Sequence, residues 1–335
     1  MARDTEINQR KKDHINLAFQ SQVLESDSRF YYEPALAGHP SPDTKHPVQL
    51  GRQAMDYPMW ISSMTGGATI ANEININLAK VAAKFRLGMG LGSCRVILND
   101  DNYLADFAIR KYIQDQPLYA NLGIAQIEEL IHDNQLGKIN ELINKTDANG
   151  LIIHINPLQE WLQPAGDRYY QSPLDNIKRV LDFLDHPIIV KEVGQGFGPE
   201  SILEMLKLPL TALDYGALGG TNFSKVELLR HENPRLDALS KTVYLGHSAN
   251  EMTSMISSIH KNNATDLKTG TIIVSGGISS YLDGYYQIQK LPLNAMYGQA
   301  SAFLKYAQLG YEPLEQFVQG QIEGLQLAHQ FLKVK

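Results

Sequence analysis

The stretch Pro187–Gly194, "PIIVKEVG", decides the fold. Three β-branched residues, Ile188, Ile189 and Val190, lead directly into Lys191 and Glu192, and a glycine closes the run. A strand that is apolar along its length and polar only at its end is covered on both faces, as strands of a parallel sheet are. The pattern recurs in "PMWISSMTGG" (58–67), "LGMGLGS" (87–93), "PLYANLG" (117–123), "GLIIHIN" (150–156), "TALDYGA" (211–217), "GTIIVSGG" (270–277) and "NAMYGQA" (294–300). Amphipathic stretches that read as helices fall between them, for example 70–85, 199–206 and 248–260. Eight strand–helix units in roughly 250 residues predict a closed (β/α)8 TIM barrel of the α/β class. An open doubly wound sheet would concentrate its polar strand ends at one switch point, whereas here nearly every strand ends in something polar.

Residues 1–57 read as an N-terminal arm, a helix over Ile7–Glu25 followed by a Pro- and Gly-rich loop, and 58–335 as one barrel domain. The arm has either end of the barrel open to it. The long segment 219–248 after the sixth strand is expected to cover the barrel mouth.

A net charge of −6 gives no general electrostatic attraction to nucleic acid. No apolar run reaches the roughly 18 residues of a membrane helix. The start, "MARDTEINQRKKDHINLAF", mixes acids with bases and lacks an apolar core, so it does not read as a signal or transit peptide. Cys94 is the single cysteine, which excludes an intramolecular disulfide. A cytoplasmic protein without nucleic-acid or membrane partners is the expectation.

The strand ends carry the chemistry. Ser275-Gly276-Gly277 after the seventh strand and "YGQAS" (297–301) after the eighth sit where barrels of this kind cradle phosphate. Backbone N–H groups reach a phosphate only if side chains stay out of the way, which suits Gly, Ala and Ser. The plainer reading of Gly-Gly is a turn. Thr65 and Gly66 in "SSMTGG" suit close approach of a flat heteroaromatic ring, or else a strand-to-helix turn with Thr as cap. Ser93 and Asn121 lie at matching ends of other strands. Lys191 needs an anionic partner if it is buried: a ligand, the electron-rich edge of a flavin, or a salt bridge to Glu192 or Asp214. Together these features suggest FMN in a barrel.

"HINPLQE" (154–160) adds the rest. His154 and Asn156 share a strand face, Pro157 ends the pairing, and Gln159 and Glu160 follow in the loop. A lone glutamate without His or Cys around it suits Mg²⁺, which takes one or two carboxylates, waters and substrate phosphates. His154 and Asn156 are able to donate to a polyanion, though a lone histidine is more often a satisfied core residue. "RKK" (10–12) reads equally as a basic cluster or a solvated helix face.

With these residues in view, the chain resembles the type 2, FMN-dependent isopentenyl-diphosphate delta-isomerases. The ordered set "RKKDHI", "SMTGG", "GSCR", "NLG", "HINPLQE", "VKEVGQG", "GGTNFSKVE" and "SGG" carries the resemblance, which spans Arg10 to Lys305. It implies that Arg10, Lys11, Ser93, Cys94, Arg95, His154, Asn156 and Gln159 meet the prenyl diphosphate substrate, with Gln159 beside its hydrocarbon part. It implies Glu160 as the Mg²⁺ ligand, and Gln159, Lys191 and His154 as the residues closest to catalysis. FMN is expected on Ser63, Met64, Thr65, Gly66, Ser93, Asn121, Lys191 and Thr221. Its phosphate is expected in Gly276-Gly277 and Ala300-Ser301. Glu227 matches a polar position near the site. The reduced flavin would act as acid and base, Lys191 would tune its N1 side, and NADPH would serve only to reduce it. The family also implies a homotetramer or homo-octamer. The chain departs from the family where Cys94 replaces a glutamine, Ser279 an arginine and Ser301 a glycine. The runner-up is an FMN oxidoreductase of the hydroxy-acid oxidase or dihydroorotate dehydrogenase type, which would need a strand-end His–Arg pair or a loop Cys or Ser base. A flavin- or prenyl-diphosphate-binding protein without activity would be expected to lose Lys191 or Glu160.

Overall fold

The computed structural model describes residues 2–63, 65–66, 70–231 and 233–335, with the backbone alone for 2–5. Eight parallel strands close into a barrel: β1 (Met59–Ile61), β2 (Gly88–Gly90), β3 (Leu118–Gly123), β4 (Gly150–Ile155), β5 (Ile188–Glu192), β6 (Ala212–Asp214), β7 (Thr271–Ser275) and β8 (Asn294–Gln299). Each pairs with its neighbour in sequence, and β8 closes on β1 through Tyr297↔Met59 and Gly298↔Trp60. All eight lie inside the runs that the sequence marks as strands.

Side chains alternate along a strand, so two populations form. Leu151, Ile153, Val190, Leu213, Ile272 and Val274 point outward and pack in the core between barrel and helices. Trp60, Tyr119, Ile152, Ile189, Ala212, Ile273 and Met296 point inward and fill the barrel. At β2 the matching residue is Gly88, where an added Cβ would lie 2.5 Å from the Trp60 ring. The indole fills the space that glycine leaves.

The inner layer is closed from below by a hairpin, Val48–Leu50 paired antiparallel with Gln53–Met55. Val48, Leu50 and Met55 join the inner cluster, so the Pro-rich loop supplies a plug at the N-terminal ends of the strands. A second antiparallel pair, Phe30–Tyr32 with Leu332–Val334, ties the arm to the chain end after the helix Tyr311–Phe331.

The arm differs from expectation at its start. The helix spans Ala2–Leu17 and not Ile7–Glu25. Leu17 O accepts from both Gln20 N and Ser21 N, which closes the last turn. Beyond it Val23 and Leu24 are 86% and 94% exposed, so no apolar face is buried that would extend the helix. The segment after β6 folds into helices Phe223–Arg230 and Pro234–Leu239 and a 3₁₀ turn, Ser240–Tyr244. Among the described residues no helix is long and apolar enough to cross a membrane.

Candidate active site at the barrel mouth

Two residues above the inner layer, the same strand parity brings Ser62, Gly90, Asn121, His154, Lys191, Asp214, Ser275 and Gly298 to the mouth. His154, Lys191 and Asp214 are register partners on adjacent strands. An added Cβ at Gly90 would lie 2.7 Å from Ser63 Oγ, and one at Gly298 would lie 2.6 Å from Ser62 Oγ. The glycines therefore make room for the two serines, whose buried hydroxyls have no hydrogen-bond partner among the described residues.

Lys191 is half-buried and its Nζ donates to Glu192 O at 3.1 Å. Burial pulls its pKa below the ordinary lysine value, and Asp214 and Glu192 oppose that shift. Asp214 is fully buried; its Oδ1 accepts from Ser275 Oγ, while Oδ2 has no partner among the described residues. Burial pushes its carboxyl up to about 6, against the pull of Lys191 and Ser275. Glu192 points outward and accepts from the backbone N–H groups of Gly194, Gln195 and Gly196, at 2.7, 2.5 and 2.8 Å. Burial still raises its pKa, partly offset by those three donors. This clasp fixes the turn that follows β5. Of the two salt-bridge partners foreseen for Lys191, Asp214 thus faces it from the next strand and Glu192 is turned away.

One cavity at the mouth is lined by Ser62, Ser63, Lys191, Thr221, Gly276, Gly277, Ala300 and Ser301 among others. Seven of the expected flavin residues meet there. Gly276 and Gly277 have φ of +86° and +73°, and a Cβ on Gly276 would sit 2.0 Å from Ala217 O. Backbone alone fits between these two loops, as a phosphate cradle requires. The orphaned Ser63 hydroxyl, the orphaned Asp214 Oδ2 and the glycine cradle fit a polar, phosphorylated cofactor such as FMN.

Other expected flavin residues lie outside that lining. Gly66 packs on Phe107, whose ring carbon Cζ would be 2.1 Å from a Cβ there. The Thr65 backbone lies against Gly92, and its carbonyl accepts from Asn75 Nδ2 at 3.1 Å. Ser93 is exposed and precedes the short 3₁₀ helix Cys94–Ile97 without a side-chain capping bond. Asn121 is engaged with Leu91 O and with His154. Met64 lies outside the described residues.

The substrate set divides likewise. Burial beside Lys191 lowers the His154 pKa to about 3, so the imidazole is neutral. Asn156 Nδ2 donates to Gln159 Oε1 at 3.0 Å and to Glu160 Oε1 at 2.9 Å, binding three of the expected residues into one cluster. Glu160 Oε2 accepts from Asp167 N at 2.8 Å. Arg95 forks onto Asp167, with Nη2 3.3 Å from Oδ1 and Nη1 closer still to Oδ2. Cys94 is fully buried, donates to Gly92 O at 3.4 Å, and has its pKa pushed up to about 12, so the thiol packs inward. Arg10 and Lys11 stand exposed on the arm helix and are not among the residues that line the mouth cavity. Glu227, from the helix after β6, is buried and accepts from Gln163 Nε2 at 2.9 Å. Ser279 donates to Asp283 at 2.6 Å, an ion-pair partner of Arg29.

Among the described residues no group of three or more His, Cys, Asp or Glu is poised for a metal. A single carboxylate, Glu160, fits Mg²⁺ only if phosphate oxygens and water complete the shell.

Sequence reasoning passed over Ser62, Gln126 and Asp167 as site residues, and met Asp214 only as a salt-bridge candidate. Parity with Trp60 and Ala212 would have placed Ser62 and Asp214 inside the mouth. Nothing local marks Gln126 or Asp167, because their role comes from a contact between loops.

No family model matches the chain. Among curated proteins, the isopentenyl-diphosphate delta-isomerase of Rickettsia felis is 33% identical over 327 residues, covering 95% of this chain and 91% of that one. The isopentenyl-diphosphate delta-isomerase of Rickettsia prowazekii is 32% identical over 327 residues, covering 95% and 92%. Among solved structures, a flavocytochrome b2 variant with sulfite bound superposes with a TM-score of 0.61 at 11% identity, covering 90% of this chain and 72% of that one. Pediococcus acidilactici lactate oxidase gives 0.57 at 11% identity, covering 92% and 83%. A mandelate oxidase with an FMN adduct gives 0.55 at 12% identity, covering 92% and 88%. At such identities the likeness is one of fold.

Proposed function

The chain belongs to the isopentenyl-diphosphate delta-isomerase family, and from that premise we propose that it interconverts isopentenyl and dimethylallyl diphosphate at the barrel mouth, using FMN and Mg²⁺. The observation that carries the cofactor assignment is the meeting of Ser63, Lys191, Thr221, Gly276, Gly277, Ala300 and Ser301 around one cavity. A mandelate oxidase with an FMN adduct and a flavocytochrome b2, both of this fold, lend support.

The reaction moves a double bond without net redox change, so one carbon gains a proton and another loses one. The mouth row supplies a neutral His154, Lys191 and one buried Asp214, and no pair of carboxylates set as acid and base. Reduced FMN, when bound, supplies that acid–base chemistry, and NADPH is needed only to reduce it. The chain's part is to bind and orient. Gly276-Gly277 and Ala300-Ser301 hold the cofactor phosphate with backbone N–H groups. Lys191 presents positive charge to the cofactor ring, and the Asp214 carboxylate behind it offsets the cost of burying an ammonium. His154, Asn156 and Arg95 hold the diphosphate, Glu160 takes Mg²⁺, and Gln159 faces the hydrocarbon. Anchoring the diphosphate away from the reacting carbons fixes their orientation. Arg10 and Lys11 reach the diphosphate only if the arm folds over the mouth. Exposed Leu17, Phe19, Val23 and Leu24 on that arm favour burial against a further copy, in keeping with a homotetramer or homo-octamer.

The hydroxy-acid oxidase or dihydroorotate dehydrogenase reading calls for a loop Cys or Ser base, where Cys94, the single cysteine, is buried with its thiol pKa raised, or for a strand-end His–Arg pair. His154 has Asn121 and Lys191 as its strand neighbours instead.

The test is direct. Purified protein should bind FMN and turn yellow. Reduced under anaerobic conditions with Mg²⁺, it should convert isopentenyl diphosphate to dimethylallyl diphosphate. No conversion under those conditions sinks the proposal.

A further inference from the structure

Asp167 does two things at once. Its carboxylate fills the Arg95 fork and takes a third hydrogen bond from Gln126 Nε2 at 2.8 Å. Its backbone N–H, meanwhile, holds Glu160 Oε2 at 2.8 Å. One residue therefore engages both the arginine and the carboxylate that the proposed function assigns to diphosphate and Mg²⁺. A carboxylate in a guanidinium fork has the same two-oxygen geometry as a phosphate edge, so the two compete for one set of donors.

The neighbouring residues make the segment a unit. Arg168 donates to the carbonyls of Glu160 and Gly166 and stacks on Trp161, its guanidinium carbon 5.0 Å from the ring centroid. Residues 160–168 thus form a closed turn across which Glu160, Trp161, Asp167 and Arg168 are linked. Arg168 and Trp161 therefore sit directly beside the Asp167–Arg95 contact, where a change at Asp167 is read by the indole.

We propose that Asp167 is a specificity-determining residue of the diphosphate site. It holds the Arg95 fork and the Glu160 carboxylate together. A ligand carrying a terminal phosphate and a divalent cation exchanges both holds, phosphate for Asp167 on Arg95 and cation for the Asp167 N–H on Glu160. Because both holds sit on one residue, a lone phosphate that displaces Asp167 from Arg95 weakens the Glu160 hold and offers nothing in its place, so the site favours a metal-bound diphosphate over a monophosphate. This inference rests on the assignment of Arg95 and Glu160 to Mg²⁺-diphosphate.

The probes are inorganic pyrophosphate with Mg²⁺ and inorganic phosphate, titrated against the full chain. Tryptophan emission gives the readout. The chain has two tryptophans; Trp60 is buried inside the barrel and Trp161 is 54% exposed. Trp161→Phe should remove the signal, which ties it to this turn. Asp167→Asn keeps the shape and removes the charge. It should tighten phosphate by about tenfold and pyrophosphate by less, so that discrimination between them falls, a scale set by charge-assisted hydrogen bonds at a half-exposed site. Glu129→Gln, the same charge change on an exposed residue of the same rim, should change neither affinity by more than about twofold, as expected for a screened exposed charge. Gln126→Ala loosens Asp167 without removing it and should act in the same direction by a smaller factor, which keeps the test sound should Asp167→Asn fold poorly. Unchanged discrimination in Asp167→Asn and Gln126→Ala, or weaker binding of both ligands, overturns the inference alone. Absence of pyrophosphate binding in the unaltered protein and in Asp167→Asn overturns the diphosphate assignment itself.

Discussion

Asn121 and His154 face each other from β3 and β4, with Oδ1 of the amide 2.9 Å from Nδ1 of the ring. The other end of the amide donates to Leu91 O at 3.0 Å. A backbone carbonyl only accepts, so the NH₂ end must face Leu91 and the carbonyl end must face His154. The ring proton is thereby fixed on Nδ1, and neutral His154 offers a lone pair on Nε2.

A lone pair cannot donate to a phosphate. With the free His154 pKa near 3, the ring carries no second proton between pH 6 and 8. An anion at Nε2 favours the protonated form; where it lifts the ring pKa from about 3 to about 6 or above, binding takes up a proton and Mg²⁺-pyrophosphate binds more tightly as pH falls from 8 towards 6. Lys191 on β5 opposes this uptake and Asp214 beyond it favours it; Asn121 and Gln126 on the β3 side carry no charge. Calorimetry in buffers of different ionisation enthalpy should find proton uptake in the unaltered protein and its loss in His154→Gln. Equal pH dependence in both would show that His154 takes no part.

The cradle at the end of β7 depends on two consecutive glycines with positive φ. Gly276→Ala would push a methyl to 2.0 Å from Ala217 O and force a non-glycine residue into the left-handed region, at a cost of about 1–3 kcal/mol. FMN affinity should fall by at least tenfold, read by equilibrium dialysis, with the far-ultraviolet circular dichroism unchanged.

Leu50, fully buried in the hairpin that plugs the barrel, touches no ligand residue. Leu50→Ala should cost about 2–5 kcal/mol of stability in denaturant unfolding, in the range for large-to-small core changes. The affinity for FMN should stay within twofold. A marked loss of FMN binding would mean that the plug also shapes the mouth.

The eight strands were legible because burial on both faces leaves a dense apolar run, and because "PIIVKEVG" and its counterparts turn polar only at one end. The plug was not. Val48–Leu50 and Gln53–Met55 are three-residue strands inside a Pro-rich loop, and they owe their pairing to the barrel floor they fill. The pairing of Phe30–Tyr32 with Leu332–Val334 joins opposite ends of the chain, which no local pattern encodes. At the site, Lys191 and His154 were readable from strand parity. Asp167 was not, because its meaning lies in which arginine its loop reaches.

Two imidazoles at the base of the barrel should make the fold acid-sensitive. His46 and His329 stack with ring centroids 3.8 Å apart, and neither Nε2 has a partner among the described residues. Burial lowers both pKa values, that of His329 to about 4, with His46 adding to its shift. Unfolded histidine binds a proton near 6.5 and the folded rings do not, so stability is lost as pH falls from about 6.5 towards 4. Asp214 acts in the opposite sense, because its raised folded pKa favours the folded state as pH falls from about 6 towards 4. Lys45 pairs with Asp56 at 2.8 Å beside His46. His329→Phe should flatten the fall in melting temperature between pH 7 and pH 5; an unchanged slope would acquit the pair.

The central claim is that the mouth performs an isomerisation with a reduced flavin and consumes no reductant per turnover. The most direct measurement counts product against NADPH. Anaerobic protein with FMN and Mg²⁺ receives a small, known amount of NADPH and an excess of isopentenyl diphosphate. The account predicts dimethylallyl diphosphate in large molar excess over NADPH consumed. Product limited to one per NADPH, or NADPH oxidised with no dimethylallyl diphosphate formed, would contradict it.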